Sequence, residues 1–146
     1  MIGITDPIVA NPDLALLALR TIFGAAMIVH GYPKLSGEGR KKTEGFMKSV
    51  GIPPALGFLT GVLEFVGGIA VILGVLTVLA GTLFALEMVA TTWLAQKKLG
   101  KKYVLGYELD IAYLGGAIVL ALVGAGSISV DALLPKKNHG KDWCRI

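Results

Sequence analysis

The feature that most constrains the fold is an apolar run of 41 residues, from Ala55 to Ala95, which contains only two charges, Glu64 and Glu87. As one helix this run would be about 60 Å long, at about 1.5 Å per residue. That length is roughly twice the thickness of the hydrocarbon core of a bilayer. The chain must therefore turn back on itself within the run, and we expect the turn at Gly74 to Thr77.

The composition of the whole chain extends this argument. Only 16% of the 146 residues are charged and the mean hydropathy is +0.71, whereas soluble globular chains carry about 25% charged residues. We predict an all-α fold, a polytopic membrane four-helix bundle with spans near 13–31, 55–73, 77–96 and 107–126. These spans form one membrane domain over 1–134, followed by a polar tail over 135–146. A short interfacial helix over 43–50 is expected in the first loop, with Phe46, Met47 and Val50 on one face.

The distribution of lysine and arginine predicts the orientation in the membrane. The loop 32–54 carries five such residues and the loop 97–106 carries four, whereas the tight second turn and the N-terminal tail carry none. Basic loops stay in the cytoplasm, so both loops are expected there and both termini outside. The C-terminal tail, with four basic residues, argues against this orientation. The excess of positive charge is explained by topology and anionic lipid, and no nucleic acid partner is expected.

Three charges lie deep inside the predicted spans, away from their ends, where a charged side chain is costly. Counted from the outer ends of their spans, Arg20 is about seven residues deep, Glu64 about nine and Glu87 about ten, or on the order of 10 to 15 Å. We therefore expect one layer in which Arg20 pairs with Glu64 and Glu87 lies close by, because a guanidinium can bind two carboxylates. Burial and a like charge favour the neutral form of a carboxyl group, so Glu64 or Glu87 is a candidate proton relay.

A second polar layer is expected at the cytoplasmic ends of the first and fourth spans. It consists of His30, Lys34, Glu108 and Asp110, and His30 could donate to either carboxylate and titrate near neutral pH. Two interpretations of the buried charges stay open. They either only lock the bundle together, or they border a pocket for a quinone head group, a small sulfur compound or a proton.

The residues available exclude several kinds of redox chemistry in this chain alone. The sequence has two histidines, His30 and His139, and one cysteine, Cys144, which offer no spaced ligand pair for haem and no set for an iron–sulfur cluster. No glycine-rich motif follows a strand to hold FAD or NAD. We predict no metal site and no cofactor bound by this chain alone, although a quinone could bind. Cys144 is expected to be a free thiol without a catalytic role.

Several short motifs follow one another along the chain: Arg20, His30-Gly31-x-x-Lys34-Leu35, Gly51-Ile52-Pro53, Glu64-x-x-Gly67-Gly68 with Gly74, Leu122 to Gly126, and Ser129-Val130-Asp131-Ala132-Leu133. Taken in this order, they resemble the DoxX/DoxD family of small four-span membrane proteins, over roughly residues 14 to 134. One departure is Gly124-Ala125-Gly126, where such proteins often have Gly-Pro-Gly.

The resemblance implies a membrane subunit of a respiratory or sulfur-linked redox complex, of the quinol oxidase or thiosulfate:quinone oxidoreductase type. On this hypothesis Arg20 donates to a quinone carbonyl, Glu64 or Glu87 relays the proton, and a partner subunit carries the electrons. Two alternatives stay open. The chain could be a non-catalytic scaffold that helps to assemble a partner, or a small transporter or proton-conducting bundle. Partners are the bilayer and either other redox subunits or further copies of the chain.

Overall fold

The computed structural model describes residues 11–133, and the expectations for the tails, including His139 and Cys144, lie outside the described residues. The predicted all-α class is confirmed. Four segments are long and apolar enough to cross a membrane, the fourth of them over Tyr103–Val123. The helices are α1 (Pro12–Leu35), α2 (Gly37–Ser49), α3 (Pro54–Leu73), α4 (Thr77–Lys97), α5 (Glu108–Val123) and the single turn α6 (Val130–Leu133).

The first helix and the interfacial helix are both longer than predicted. The side chain of Asn11 caps the start of α1 by accepting from the Leu14 amide at 3.3 Å, and Pro12 occupies the first turn, where its missing N–H costs nothing. At its other end α1 continues to Leu35, past the predicted end near Gly31. Ser36 is extended, and α2 begins directly after it. Only one extended residue therefore separates the first span from the interfacial helix.

The turn between α3 and α4 lies where the apolar run predicts it. Gly74 ends α3 in the left-handed conformation, with φ +71°, and α4 begins at Thr77. Glycine adopts this conformation without steric cost. The carboxylate of Asp131 accepts from the amides of Leu76 at 3.1 Å and Thr77 at 3.4 Å. The first turn of α4 is thus capped by a side chain from the far end of the chain.

The fourth span differs from the prediction at both ends. An irregular π-type turn, Tyr103–Tyr107, precedes the regular helix, and within it Leu105 is left-handed with φ +57°. The side chain of Glu108 accepts from the Leu105 amide at 3.0 Å and holds this turn. The regular helix ends at Val123 rather than near Gly126, because Gly124 and Gly126 both have positive φ.

Glycines allow the helices to approach each other closely. Helix α1 packs mainly on α3, and α4 packs mainly on α5. A Cβ added at Gly68 would lie 2.7 Å from the carbonyl oxygen of Gly24, and one added at Gly81 would lie 2.7 Å from the amide nitrogen of Ala121. In lipid, such backbone contact replaces the hydrophobic drive that holds soluble helices together. The apolar core between the helices contains Phe23, Met27, Val71, Ala80, Phe84, Met88, Ala117 and Leu120.

The contact between α1 and α3 can be tested with two glycine variants. Gly68→Ala places a methyl group against the backbone of α1, and we expect a loss of about 1–3 kcal/mol of unfolding free energy, as for other overpacked cores. The measurement is unfolding by SDS titration in mixed micelles, followed by far-UV circular dichroism.

Gly115→Ala is the matched control, because Gly115 is also helical but a Cβ there meets no atom within 4 Å. We expect this variant to be as stable as the parent or more stable by up to about 1 kcal/mol, since alanine favours the helix. Equal stability of the two variants would contradict the packing described here.

Candidate functional site

Arg20 lies apart from the buried glutamates, at the end of the bundle where α3 turns into α4. It is only 2% exposed, its Nη1 donates to the carbonyl oxygen of Ala125, and its Nη2 donates to that of Ile72 at 3.2 Å. A cation beside the last carbonyls of a helix is also favoured by the helix dipole. The predicted Arg20–Glu64 ion pair is therefore wrong, and Arg20 instead joins α1, the end of α3 and the segment after α5.

The error has a clear geometric cause, which is the stagger of two antiparallel helices. The predicted depth was counted from the ends of each span, as if the two ends were level. In the structure Arg20 bonds to Ile72, near the end of α3. Glu64 comes about two helical turns earlier in that helix, toward its start. The contact at Gly31, where an added Cβ would lie 2.8 Å from the Cβ of Glu64, fixes this stagger.

Glu64 pairs with Lys34, a residue that the sequence places in the other polar layer. The ammonium of Lys34 donates to Oε1 of Glu64 at 2.7 Å, and Oε2 lies 2.6 Å away without a hydrogen bond of its own. The side chain of Lys34 is 27% exposed and that of Glu64 only 7%. An added Cβ at Gly61 would lie 2.7 Å from the Cβ of Lys34. Gly61 thus lets the lysine pass close to α3 and reach the carboxylate.

The two predicted polar layers are rearranged into one polar cavity of about 160 Å³. From the predicted sets it takes Glu64 together with His30, Lys34 and Asp110, but not Arg20. Glu108 does not line it, because its carboxylate holds the turn before α5. The His30 ring packs edge-on against Tyr113, with the ring centroids 6.0 Å apart. The full lining is Met27, His30, Lys34, Glu64, Met88, Thr91, Leu109, Asp110 and Tyr113.

Glu87 borders a second, larger and mainly apolar cleft of about 420 Å³ between α2, α3 and α4. It is 8% exposed, and within residues 11–133 neither oxygen of its carboxyl group has a hydrogen-bond partner. The two threonine hydroxyls in the cleft already have hydrogen-bond acceptors, since Thr60 donates to the Gly57 carbonyl and Thr91 donates to the Met88 carbonyl. The cleft is lined by Met47, Ile52, Leu56, Leu59, Thr60, Leu63, Leu86, Glu87, Ala90, Thr91, Trp93 and Leu94.

Thr91 lines both cavities, and the sequence analysis missed it together with Tyr113. The signal was present, because residues three or four apart share a helix face. Thr91 follows Glu87 by one turn of α4, and Tyr113 follows Asp110 by one turn of α5. A search along the faces that carry the buried acids would have found both.

The balance of charged groups around the two cavities indicates which chemistry they can perform. Three carboxyl groups, those of Glu64, Glu87 and Asp110, surround one lysine, and the charges that act on Glu87 are those of the other two acids and of Lys34. Because Lys34 forms an ion pair with Glu64, Glu87 is left without a cation partner among the described residues. Such a group of carboxyls with one ammonium can hold and pass protons. Among residues 11–133, no three His, Cys, Asp or Glu side chains are arranged to hold a metal ion.

The two basic loops lie at the same end of the bundle, as the sequence predicts. The ammonium of Lys98, which follows α4, donates to the carbonyl of Val50, which follows α2, at 2.8 Å. Trp93 and Tyr103 lie near this end and are more than half exposed, which is typical of an aromatic belt. We call this end the basic end. Which side of the membrane it faces stays a prediction.

Comparisons with known proteins identify a family and similar membrane proteins. The sequence profile of the DoxX family matches residues 15–97, so the predicted resemblance is confirmed. The protein "Putative oxidoreductase CatD" of Bacillus subtilis (strain 168) is 31% identical over 88% of this chain and 93% of its own. "Inner membrane protein YqjF" of Escherichia coli (strain K12) is 29% identical over 86% of this chain and 95% of its own. No solved structure matches significantly.

The Lys34–Glu64 pair generates a test of stability. Lys34→Met leaves the Glu64 carboxylate buried without a cation, and we expect a loss of about 2 kcal/mol, less than for a fully buried pair because Lys34 is partly exposed. The double variant Lys34→Met/Glu64→Gln should recover most of this loss. The measurement is a double-mutant cycle by SDS titration.

Arg40 and Glu44 provide the matched control, since they form an exposed pair one helical turn apart on α2 at 2.8 Å. Glu44→Gln should cost no more than about 0.5 kcal/mol. If Lys34→Met cost as little as Glu44→Gln, the buried pair would not stabilise the bundle and this description would be wrong.

Proposed function

The chain belongs to the DoxX family, and on that premise we propose that it is a membrane subunit of a respiratory or sulfur-linked redox complex, in which the apolar cleft binds a quinone head group beside Glu87. Four apolar helices and the membrane-protein relative support a multi-pass membrane protein. The name of the CatD relative supports a redox-related role. The bound quinone, the complex and its other subunits go beyond these two observations and are what we propose.

The observation that carries the proposal is the environment of Glu87. Glu87 is only 8% exposed, and a buried carboxyl group whose two oxygens have no hydrogen-bond partner among the described residues costs free energy unless water or a ligand bonds to it. Glu87 lines a cleft whose other lining residues are apolar, except for two threonines. The hydroxyl of each threonine donates a hydrogen bond to a backbone carbonyl of its own helix. An apolar pocket with one convergent polar group is the usual form of a small-molecule site.

The cleft suits a ligand that is dissolved in the bilayer. Its volume of about 420 Å³ lies within the range of small-molecule pockets, roughly 300–1,000 Å³. Leu59, Leu86 and Trp93 at its rim are each more than half exposed on the outer surface of the bundle. A head group on an isoprenoid chain could therefore enter sideways from the lipid, with the chain left among the acyl chains.

The chemistry requires protons and electrons from different sources. A quinone accepts two electrons and two protons to become a quinol, and the reverse reaction returns them. We propose that the electrons pass between the quinone and an electron-carrying partner subunit. A protonated Glu87 donates its O–H to a quinone carbonyl oxygen, transfers that proton as the electrons arrive, and remains as a carboxylate that must be reprotonated before the second transfer.

Arg20 and Glu64 take different roles from those that the sequence favours. Arg20 is bonded to two carbonyl groups at the other end of the bundle, so we propose that it maintains the fold. Glu64 is bonded to Lys34, and the pair provides a fixed charge beside Glu87. The basic end is proposed to face the cytoplasm, with both termini outside.

Replacing Glu87 tests this function directly. Glu87→Gln keeps the size of the side chain and a hydrogen-bond donor but removes the transferable proton, so quinone-linked turnover of the assembled complex should fall by about 10²–10⁴-fold. Turnover is measured per complex, after extraction in a mild detergent and separation on a native gel, with mass spectrometry of the subunits that migrate with the chain.

Glu44→Gln is the control, because Glu44 lies on α2 in an exposed ion pair and should leave turnover unchanged. If Glu87→Gln reduced the yield of the complex but not the turnover of each complex, the chain would be a scaffold. If the chain migrated alone and moved protons across vesicles without a quinone, it would be a transporter. Either result would reject the proposed function.

A further inference from the structure

We infer that the polar cavity is a water-filled passage through which protons reach Glu87 from the basic end of the bundle, with Asp110 at its entrance and Thr91 at its junction with the apolar cleft. The inference rests on the proposed function only in naming a quinone as the final proton acceptor. The passage itself is a property of the described side chains and can be tested without any turnover.

The entrance of the passage lies beside the turn that precedes α5. Asp110 is partly buried in the first turn of α5, and His30 is exposed on the facing surface of α1. Lys101, in the basic loop, acts on Asp110 together with His30 and Lys34. The mouth of the cavity is thus formed by groups that bind water and exchange protons with it.

The interior of the cavity can hold water. A volume of about 160 Å³ is large enough for several water molecules, and a buried water needs two to four polar partners. The ammonium of Lys34, the carboxylate of Glu64 and the hydroxyls of Thr91 and Tyr113 supply such partners from all four packed helices. The ionisable groups that face this water are His30, Lys34, Glu64, Asp110 and Tyr113, with Glu87 beyond Thr91.

Thr91 connects this water to Glu87. It is the residue that lines both cavities, and it lies one turn from Glu87 on α4, where side chains share a face. Its hydroxyl donates to the Met88 carbonyl, so its oxygen remains able to accept a hydrogen bond from water. The two unpartnered oxygens of Glu87 can complete the connection.

Toward the Arg20 end, packed side chains fill the interior of the bundle among the described residues. Between the glutamates and the Arg20 end lies a layer of closely packed side chains, of which Val71, Phe84 and Leu120 have no exposed surface. The rings of Phe23 and Phe84 pack edge to face across it, with centroids 5.3 Å apart. A dry apolar layer of this kind stops water and protons, so exchange with Glu87 takes place from the basic end.

Access of water can be measured with a cysteine in place of Glu87. The chain has one cysteine, Cys144, so Cys144→Ser gives a cysteine-free background. Glu87→Cys in this background is reconstituted in sealed vesicles and exposed to Ag⁺, which is small and reacts with thiolates that water can reach. The remaining free thiol is then counted with a fluorescent maleimide after unfolding.

Two further cysteines calibrate the experiment. Lys42→Cys, on the exposed basic surface of α2, reports which side of each vesicle carries the basic end. Leu86→Cys, next to Glu87 on α4 but 64% exposed on the outer surface, reports reaction through lipid. We expect Glu87→Cys to react from the side that labels Lys42→Cys, and Leu86→Cys to react at least about tenfold more slowly, since a thiolate is costly in lipid.

The junction is tested with a matched pair at Thr91. Thr91→Val keeps the size but removes the hydroxyl, and it should slow the reaction of Glu87→Cys by about tenfold, because a buried water loses a hydrogen-bond partner. Thr91→Ser keeps the hydroxyl and should react as the parent does. Circular dichroism and gel filtration confirm that each variant is folded.

The passage would be rejected if folded Glu87→Cys reacted only from the opposite side, equally from both sides, or no faster than Leu86→Cys. It would also be rejected if Thr91→Val and Thr91→Ser reacted at the same rate. The proposed function is tested separately by the turnover of Glu87→Gln. Sided access without quinone turnover would leave the passage intact and reject the function, and the reverse result would reject only the passage.

Discussion

The close contact between α1 and α3 is the constraint on which the rest of the structure depends. At Gly24, Gly31, Gly61 and Gly68 the two helices approach so closely that no side chain fits between them, and this fixes how far one helix is shifted along the other. The shift brings Lys34 to Glu64 and Arg20 to Ile72. As a consequence no cation or hydrogen-bond donor from the described part of the chain is paired with Glu87, on the next helix.

The polar residues then divide into two groups with different tasks. At one end Arg20, Asp13 and Asp131 hold the segment after α5 against the turn between α3 and α4. Asp13 accepts from the amide and hydroxyl of Ser127, and Asp131 caps α4. This explains structurally why glycines and small polar residues occur at 124–131. At the other end, two neighbouring cavities are lined by ionisable groups, which is why we place the chemistry there; these groups are His30, Lys34, Glu64, Asp110 and Tyr113 in one cavity and Glu87 in the other.

The sequence predicted the four membrane-crossing segments and the turn between α3 and α4, because both depend on local signals, whereas the limits of three helices differed from the prediction. The length of the apolar run required a turn, and Gly74 provides it in a left-handed conformation that favours glycine. The sequence did not predict the pairing of Arg20, Lys34 and Glu64, because a residue's depth in its own span does not determine the register of two helices. That register depends on which glycines meet. Thr91 was missed because a threonine is common in an apolar helix, although its spacing of four residues from Glu87 places both side chains on one face of α4.

The central claim is that a quinone head group binds in the cleft beside Glu87, and Trp93 in its lining allows binding to be measured directly. The chain has two tryptophans, so Trp143→Phe leaves Trp93 as the single tryptophan of the chain, and its fluorescence is followed in nanodiscs titrated with a short-chain benzoquinone. We predict saturable quenching that disappears in Ala90→Phe, which fills the cleft, and that needs about tenfold more quinone in Glu87→Leu, which loses the hydrogen bond. Quenching that rises linearly with the quinone dissolved in the lipid, and equally in all three proteins, would contradict the account.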